Sequence, residues 1–186
     1  MWNRNRARAE TEPAPRTGRW WALGLLKAAV ALAIVYVPLA WFAGHYRIVY
    51  DSIKGANCLP YSVFIVDLKN QTIRRGDYLA FVSRQMKPFY TDGTPVVKFV
   101  AGVPGDHVEV NAEGVRVNGQ RRGALLHLQE GERLWRMGRR LADVERDEVI
   151  PAGRVWMMGT HPRSYDSRYW GYISNEQVIG RAIPLW

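Results

Sequence analysis

The chain has 186 residues, a formal net charge of +9 and a single cysteine, with 47% hydrophobic residues. One cysteine excludes an intramolecular disulfide and any multi-cysteine metal site, and the length allows one ordinary domain with an appendage. The charge is too scattered to mark a nucleic-acid surface: residues 1–19 hold a net +3, Lys27 adds one, and the +5 from Arg47 onward comes without RNP-like aromatics or zinc-finger spacing.

Residues 1–19 read as a basic tail, with Arg4, Arg6, Arg8, Arg16 and Arg19 against Glu10 and Glu12. Residues 20–44, WWALGLLKAAVALAIVYVPLAWFAG, follow as an apolar run bracketed by Trp20-Trp21 and Trp41. As a helix the run reaches about 37 Å, enough to cross a hydrocarbon core of roughly 30 Å. The tryptophans suit interfacial belts, Lys27 is near enough to one edge to snorkel, and Pro38 kinks such a helix without ending it. A cleaved signal peptide is the competing reading. Its apolar region is shorter, and Trp41-Phe42 stands where small residues would be wanted, so the pattern favours an uncleaved anchor. The positive-inside rule then predicts a cytoplasmic N-terminus in the bacterial inner membrane, with residues 45–186 on the periplasmic side.

From Arg47 the pattern changes to short runs of Val, Ile, Phe and Tyr broken by turn residues. Predicted strands are 46–50, 63–67, 78–83, 96–103, 107–110, 115–117 and 154–158, punctuated by Arg75-Gly76-Asp77, Pro104-Gly105-Asp106 and Asn118-Gly119. The alternation over 107–121 predicts a hairpin. Residues 124–148, rich in charge and interrupted by Gly131 and Gly138, read as an irregular insertion with one short helix. The expected fold is a mainly β domain with one insertion, preceded by one transmembrane helix.

Three stretches carry chemistry. Cys58-Leu59-Pro60 places the lone thiol just before a strand. Val96-Val97-Lys98-Phe99-Val100-Ala101-Gly102-Val103-Pro104-Gly105-Asp106 embeds a lysine in an apolar strand that ends in a turn. Met158-Gly159-Thr160-His161-Pro162-Arg163-Ser164-Tyr165-Asp166-Ser167-Arg168-Tyr169-Trp170-Gly171 combines hydroxyls with a carboxylate and a guanidinium two residues apart. Together and in this order, behind an N-terminal anchor, they resemble the type I signal peptidase family, most closely its TraF-like branch from conjugative transfer systems. The resemblance covers most of residues 20–186. It implies Cys58 as nucleophile, Lys98 as general base, Ser164 as the hydroxyl that orients Lys98, and Asp166–Arg168 as an internal ion pair supporting the site.

The residues agree with these roles in physical terms. A lysine base must be neutral near pH 7 against a reference pKa of about 10.4, and burial disfavours the charged form. An isolated strand lysine ordinarily points to solvent, and a lone cysteine is ordinarily packing material. A thiol, with an unperturbed pKa of about 8.5, asks less of its base than a serine hydroxyl does.

The sequence departs from the family pattern at Cys58 itself, which holds the serine position. Ser62 falls where TraF-like members usually have glycine, which makes it a poorer nucleophile candidate. Ala56 stands where members commonly carry an oxyanion-hole hydroxyl, leaving the Cys58 N–H and Asn57 as candidate donors. Thr160-His161 replaces the usual Asp-Asn, and His161 is a rival base in a Cys/His dyad.

The reading is therefore a membrane-anchored endopeptidase that cuts exported precursor proteins, the resemblance narrowing these to a pilin-like subunit, with hydrolysis or cyclisation of the product. It uses no cofactor or metal and no nucleic acid. The alternative is a catalytically decayed β domain that serves as a structural component of a secretion machine.

Overall fold

The structure is a computed structural model that describes residues 19–50, 58–124, 138–162 and 164–185. The chain divides into two compact units, residues 1–42 and 43–186. Of the first, the described part belongs to helix α1 (Arg19–His45), whose apolar side chains are exposed from Trp20 to Trp41. Trp20–His45 is long and apolar enough to cross a membrane, and Pro38 lies inside the helix without ending it. The basic stretch ahead of Arg19 lies outside the described residues.

The second unit is built on two antiparallel sheets. Strands β1 (Tyr46–Tyr50), β2 (Val63–Asp67), β3 (Tyr78–Val82), β4 (Pro95–Gly102), β9 (Arg154–Met158), β10 (Ile173–Ser174) and β11 (Val178–Pro184) form the larger, in the order β1-β2-β11-β3-β4-β9-β10. Strands β5 (His107–Asn111), β6 (Gly114–Val117), β7 (Gln120–Gly123) and β8 (Arg146–Val149) form the smaller, in the order β7-β6-β5-β8. A short helix, α2 (Ser167–Trp170), follows β9.

Alternation along the strands divides the core between two faces. Leu79 and Phe81 of β3, with Val96 and Val100 of β4, join a large cluster that includes Trp156 and Tyr169. The intervening Ala80 and Val97 join a smaller cluster with Val49, Leu59, Phe64, Val66 and Ala182. Each fully buried large apolar side chain contributes about 1.5–3 kcal/mol, so these two layers hold the central strands in place.

Turns follow from local chemistry. Asn118 and Gly119 adopt positive φ (51° and 74°), the conformation that an Asn-Gly two-residue hairpin turn requires. Beside it, the Asp106 carboxylate accepts from Val103 N (2.9 Å), Asn118 Nδ2 (2.9 Å) and Arg75 Nε (3.1 Å). Burial works against that charge, but the donors outweigh it and hold the carboxyl below its ordinary range. The clamp fixes the turn by which the chain passes from β4 to β5.

The predicted strands appear within a residue or so of their expected positions, but four others were not expected. Strands β7, β10 and β11 carry no strand prediction, and β8 begins inside the 124–148 segment. Of that segment residues 124 and 138–148 are described, and the latter stretch holds a 3-10 turn at Leu141–Asp143 before the strand. Residues 125–137 lie outside the described residues.

Candidate active site

Lys98 occupies the middle of β4, a strand paired on both sides. It registers with Leu79 on β3, and the next residue, Phe99, registers with Met158 on β9. By parity its side chain shares the face of Val96 and Val100, within the larger core cluster. Lys98 is 0% exposed, forms no ion pair with any described residue, and its Nζ has no hydrogen-bond partner. An amine in such a place is rare, because an isolated buried charge is costly.

Register carries one step past β9, so that Gly159 comes to lie across from Lys98. From Gly159 the chain turns sharply back. Its amide donates to Asp166 Oδ2 (2.9 Å), and Ser164 N closes on His161 O (3.0 Å). Asp166 caps α2, accepting from Arg168 N (3.3 Å), and Ser167 Oγ accepts from Met157 N (2.8 Å), tying the helix to β9.

The ion pair of this segment is bidentate and buried. Arg168 Nε meets Asp166 Oδ1 at 2.7 Å and Nη2 meets Oδ2 at 2.6 Å, with the two side chains 1% and 0% exposed. The remaining guanidinium donors reach four carbonyls: Ala124 (2.8 Å), Ser164 (3.2 Å), Pro162 (3.3 Å) and His161 (3.4 Å). Burial disfavours the Arg168 charge, but Asp166 outweighs it, with smaller help from Tyr169 and Cys58, and the guanidinium is held more firmly protonated than usual. Arg168 is thus the brace that ties together His161, Pro162, Ser164 and Asp166.

Cys58 arrives from a different part of the sequence. Its carbonyl accepts from Thr160 N (2.9 Å), His161 N (3.3 Å) and Thr160 Oγ1 (3.4 Å), which locks it against the Gly159 turn. The thiol is free and the residue 1% exposed. Gly159 is the meeting point: a Cβ there would collide with Ser164 Oγ and stand 2.6 Å from both Cys58 O and Ser164 Cβ.

The structure therefore brings Cys58 and Ser164 together at Gly159, with Lys98 across the strand register. It forms no hydrogen bond among the thiol, the amine and the hydroxyl, and Ser164 Oγ, like Lys98 Nζ, is buried without a partner. A buried polar group without a partner is uncommon in a native core, and two of them fall among the residues that the sequence motifs single out. His161 flanks Cys58 through its backbone, whereas Ser62 is exposed ahead of β2. Asn57 and Ala56 lie outside the described residues. Among the described residues no group of three or more His, Cys, Asp or Glu side chains is placed to hold a metal ion.

Sequence reasoning missed Gly159 and Ser167, whose contributions are empty space and a backbone cap. It also missed Tyr165, whose ring lies 4.7 Å from Phe89 and 5.8 Å from both Tyr90 and Tyr169 and whose OH reaches Lys87 O (3.3 Å). Through it the Ser164 segment is packed against the loop that leads into the Lys98 strand.

Comparison with known proteins gives the following. The family described as "Signal peptidase, peptidase S26" matches residues 21–186. A signal peptidase I from Leptolyngbya laminosa is 30% identical over 115 residues, covering 59% of this chain and 51% of that protein. A signal peptidase IB from Staphylococcus aureus is 26% identical over 181 residues, covering 87% and 90%. The chain thus spans about half the length of the first relative and nearly all of the second. A crystal structure of a signal peptidase I from Enterococcus faecalis is 25% identical, covering 60% of this chain and 97% of that one, with a TM-score of 0.37.

Proposed function

This chain belongs to the signal peptidase family, and from that premise we propose that it is a membrane-anchored endopeptidase acting on exported precursor proteins through Cys58 and Lys98. The observation that carries the reading is the convergence at Gly159: a thiol held by its carbonyl, a buried partnerless hydroxyl, and a buried partnerless amine one strand away.

The chemistry follows from those groups. The Lys98 amine, as general base, takes the Cys58 proton, and the thiolate attacks the scissile carbonyl. The tetrahedral adduct collapses, its carbon–nitrogen bond breaks, and the Lys98 ammonium returns the proton to the departing amine. A thioester on Cys58 remains. Water deprotonated by Lys98 then releases the acid and regenerates the thiol. Ser164 Oγ is the candidate to orient the amine, and the Cys58 N–H and Asn57 are candidate donors to the oxyanion. The Asp166–Arg168 pair keeps this corner rigid.

The TraF-like resemblance narrows the substrate to a pilin-like subunit of a conjugative system. The product is either hydrolysed as above or cyclised, and in the cyclising variant the pilin's own amine takes the place of water as the attacking group. The positive-inside pattern puts the domain on the periplasmic side of the inner membrane. An exposed apolar face on β1-β2-β11 suits work at a lipid surface: Ile48 and Ile183 flank Ile65 across the strands and are 49% and 46% exposed.

The test is processing of a precursor by the wild-type chain and by Cys58→Ala, Cys58→Ser, Lys98→Ala and His161→Ala. Loss in Cys58→Ala and Lys98→Ala, with activity kept in His161→Ala, is expected. Unchanged processing in Cys58→Ala and Lys98→Ala refutes the dyad. Loss in His161→Ala with Lys98→Ala active makes His161 the base. No processing by the wild-type chain against any precursor of its host favours the decayed scaffold.

A further inference from the structure

At the free end of the larger sheet, beside β10, lies a cleft of ≈ 620 Å³ walled in part by Arg84, Arg139, Arg154 and Trp170. The arginines come from three distant places in the chain: the β3–β4 connection, the stretch before β8 and the first position of β9. Two carboxylates, Asp92 and Glu176, share the cleft, and Asp92 already accepts from Gln85 N (2.7 Å).

Ion pairs in the domain engage Arg75, Arg116, Arg140, Arg146, Arg168 and Arg181, and none of the three cleft arginines pairs with a described residue. Arg139 donates one N–H to Tyr169 O (2.5 Å) and forms no ion pair within contact distance among the described residues. Independently, Trp170 Nε1 in the same wall is buried without an acceptor. Guanidinium and indole groups only donate, and with three arginines against two carboxylates the cleft keeps a surplus of positive charge and of donors that a further acidic acceptor would match. A single carboxylate is far smaller than this space. The neighbouring strand β10 is two residues long and, among the described residues, pairs with β9 alone, which leaves an edge where an extended chain can lie.

We infer that this cleft recognises an acidic peptide segment in extended form, its carboxylate seated among Arg84, Arg139 and Arg154 with the Trp170 indole N–H as a further donor. The site stands apart from the cleavage chemistry, although Trp170 ends the helix that begins beside Arg168 and Arg139 is bonded to the same helix.

The probe is a fluorescein-labelled tetraglutamate peptide, with tetraglutamine as control, titrated by anisotropy against the full chain in detergent micelles at low and physiological salt. Tetraglutamate binding that weakens with salt is expected. Arg84→Ala and Arg154→Ala should each weaken it by about fivefold, and Trp170→Phe, which keeps the ring but removes the donor, by about threefold. Arg121→Ala, an exposed arginine on β7 of the other sheet, should change it by less than about twofold. Equal loss in Arg121→Ala and Arg154→Ala overturns the inference, since binding would then reflect net charge alone. So does tetraglutamine binding as tightly as tetraglutamate, or unchanged binding in Arg84→Ala and Arg154→Ala. No arm of the experiment involves cleavage, and Cys58→Ala should bind as wild type, so failure of the peptidase reading leaves this result intact.

Discussion

Replacing Gly159 by alanine adds one methyl group at the point where the site converges, and the structure says what that methyl meets. Ser164 Oγ can rotate aside, but Ser164 Cβ and the Cys58 carbonyl oxygen, each 2.6 Å from the new atom, cannot. Both fall about 0.8 Å short of an ordinary contact, so backbone must move by a comparable amount. The Cys58 carbonyl is the part that gives way, and its bonds from Thr160 N (2.9 Å) and His161 N (3.3 Å) go with it. Overpacking of this kind costs about 1–3 kcal/mol. For a chain of this size a 2 kcal/mol loss lowers Tm by about 4–8 °C. The catalytic effect should be larger, because a misplacement near 1 Å in a reacting group lowers kcat by about a hundredfold. Calorimetry and precursor processing on the purified chain in detergent read the two effects separately. A Gly159→Ala protein with wild-type Tm and rate would refute the reasoning, because Cys58 and Ser164 could not then meet at Gly159.

Asp166→Ala should destabilise the chain by about 3–5 kcal/mol in urea unfolding, since it strands a buried guanidinium. A loss under 1 kcal/mol, as for an exposed pair, would contradict the buried brace. Asp106 offers a pH test. Its folded carboxyl titrates below the unfolded value of about 3.9, so the folded state holds fewer protons in acid, and the stability gained is complete above about pH 4 and lost as pH falls through the folded value. Asp106→Asn should therefore lower stability at neutral pH and flatten the acid limb of the stability–pH curve. A limb as steep as in wild type would assign it to other carboxylates.

What the sequence disclosed, and what it hid, divides along physical lines. Strands such as Val63–Asp67 and Pro95–Gly102 are β-branched or aromatic and pack on both faces of the larger sheet, so their composition alone is legible. Strand β7, QRRG, and β8, RDEV, are largely exposed and charged, and it is pairing with β6 and β5 that makes them strands. Strand β11 was hidden for another reason. Its inward positions include Gly180 and Ala182, which carry little apolar signal. At Gly180 a Cβ would collide with Asp67 O, so the small residue reflects a close backbone approach that one strand cannot reveal.

The site shows the same division. Lys98, Ser164, Asp166 and Arg168 belong to motifs whose residue types announce chemistry. The burial of Lys98 was legible from its flanking Val96, Val97, Phe99 and Val100, whereas its isolation from the Ser164 hydroxyl depends on side-chain positions that spacing does not fix. Gly159 offers an absent side chain, and Ser167 caps a backbone amide ten residues earlier. Such contributions appear only when the partner is in view.

The central claim is that Cys58 forms the covalent intermediate, and its most direct test is a trapped adduct. The full chain in detergent is mixed with a precursor-derived peptide, quenched in acid within the first turnover, digested and mapped by mass spectrometry. The account predicts an acyl group on the peptide that contains Cys58, released by hydroxylamine as a thioester, and absent from Lys98→Ala on the same timescale. Cleavage of the substrate by Cys58→Ala, or an acyl group mapped to Ser62 in the wild-type chain, would contradict it.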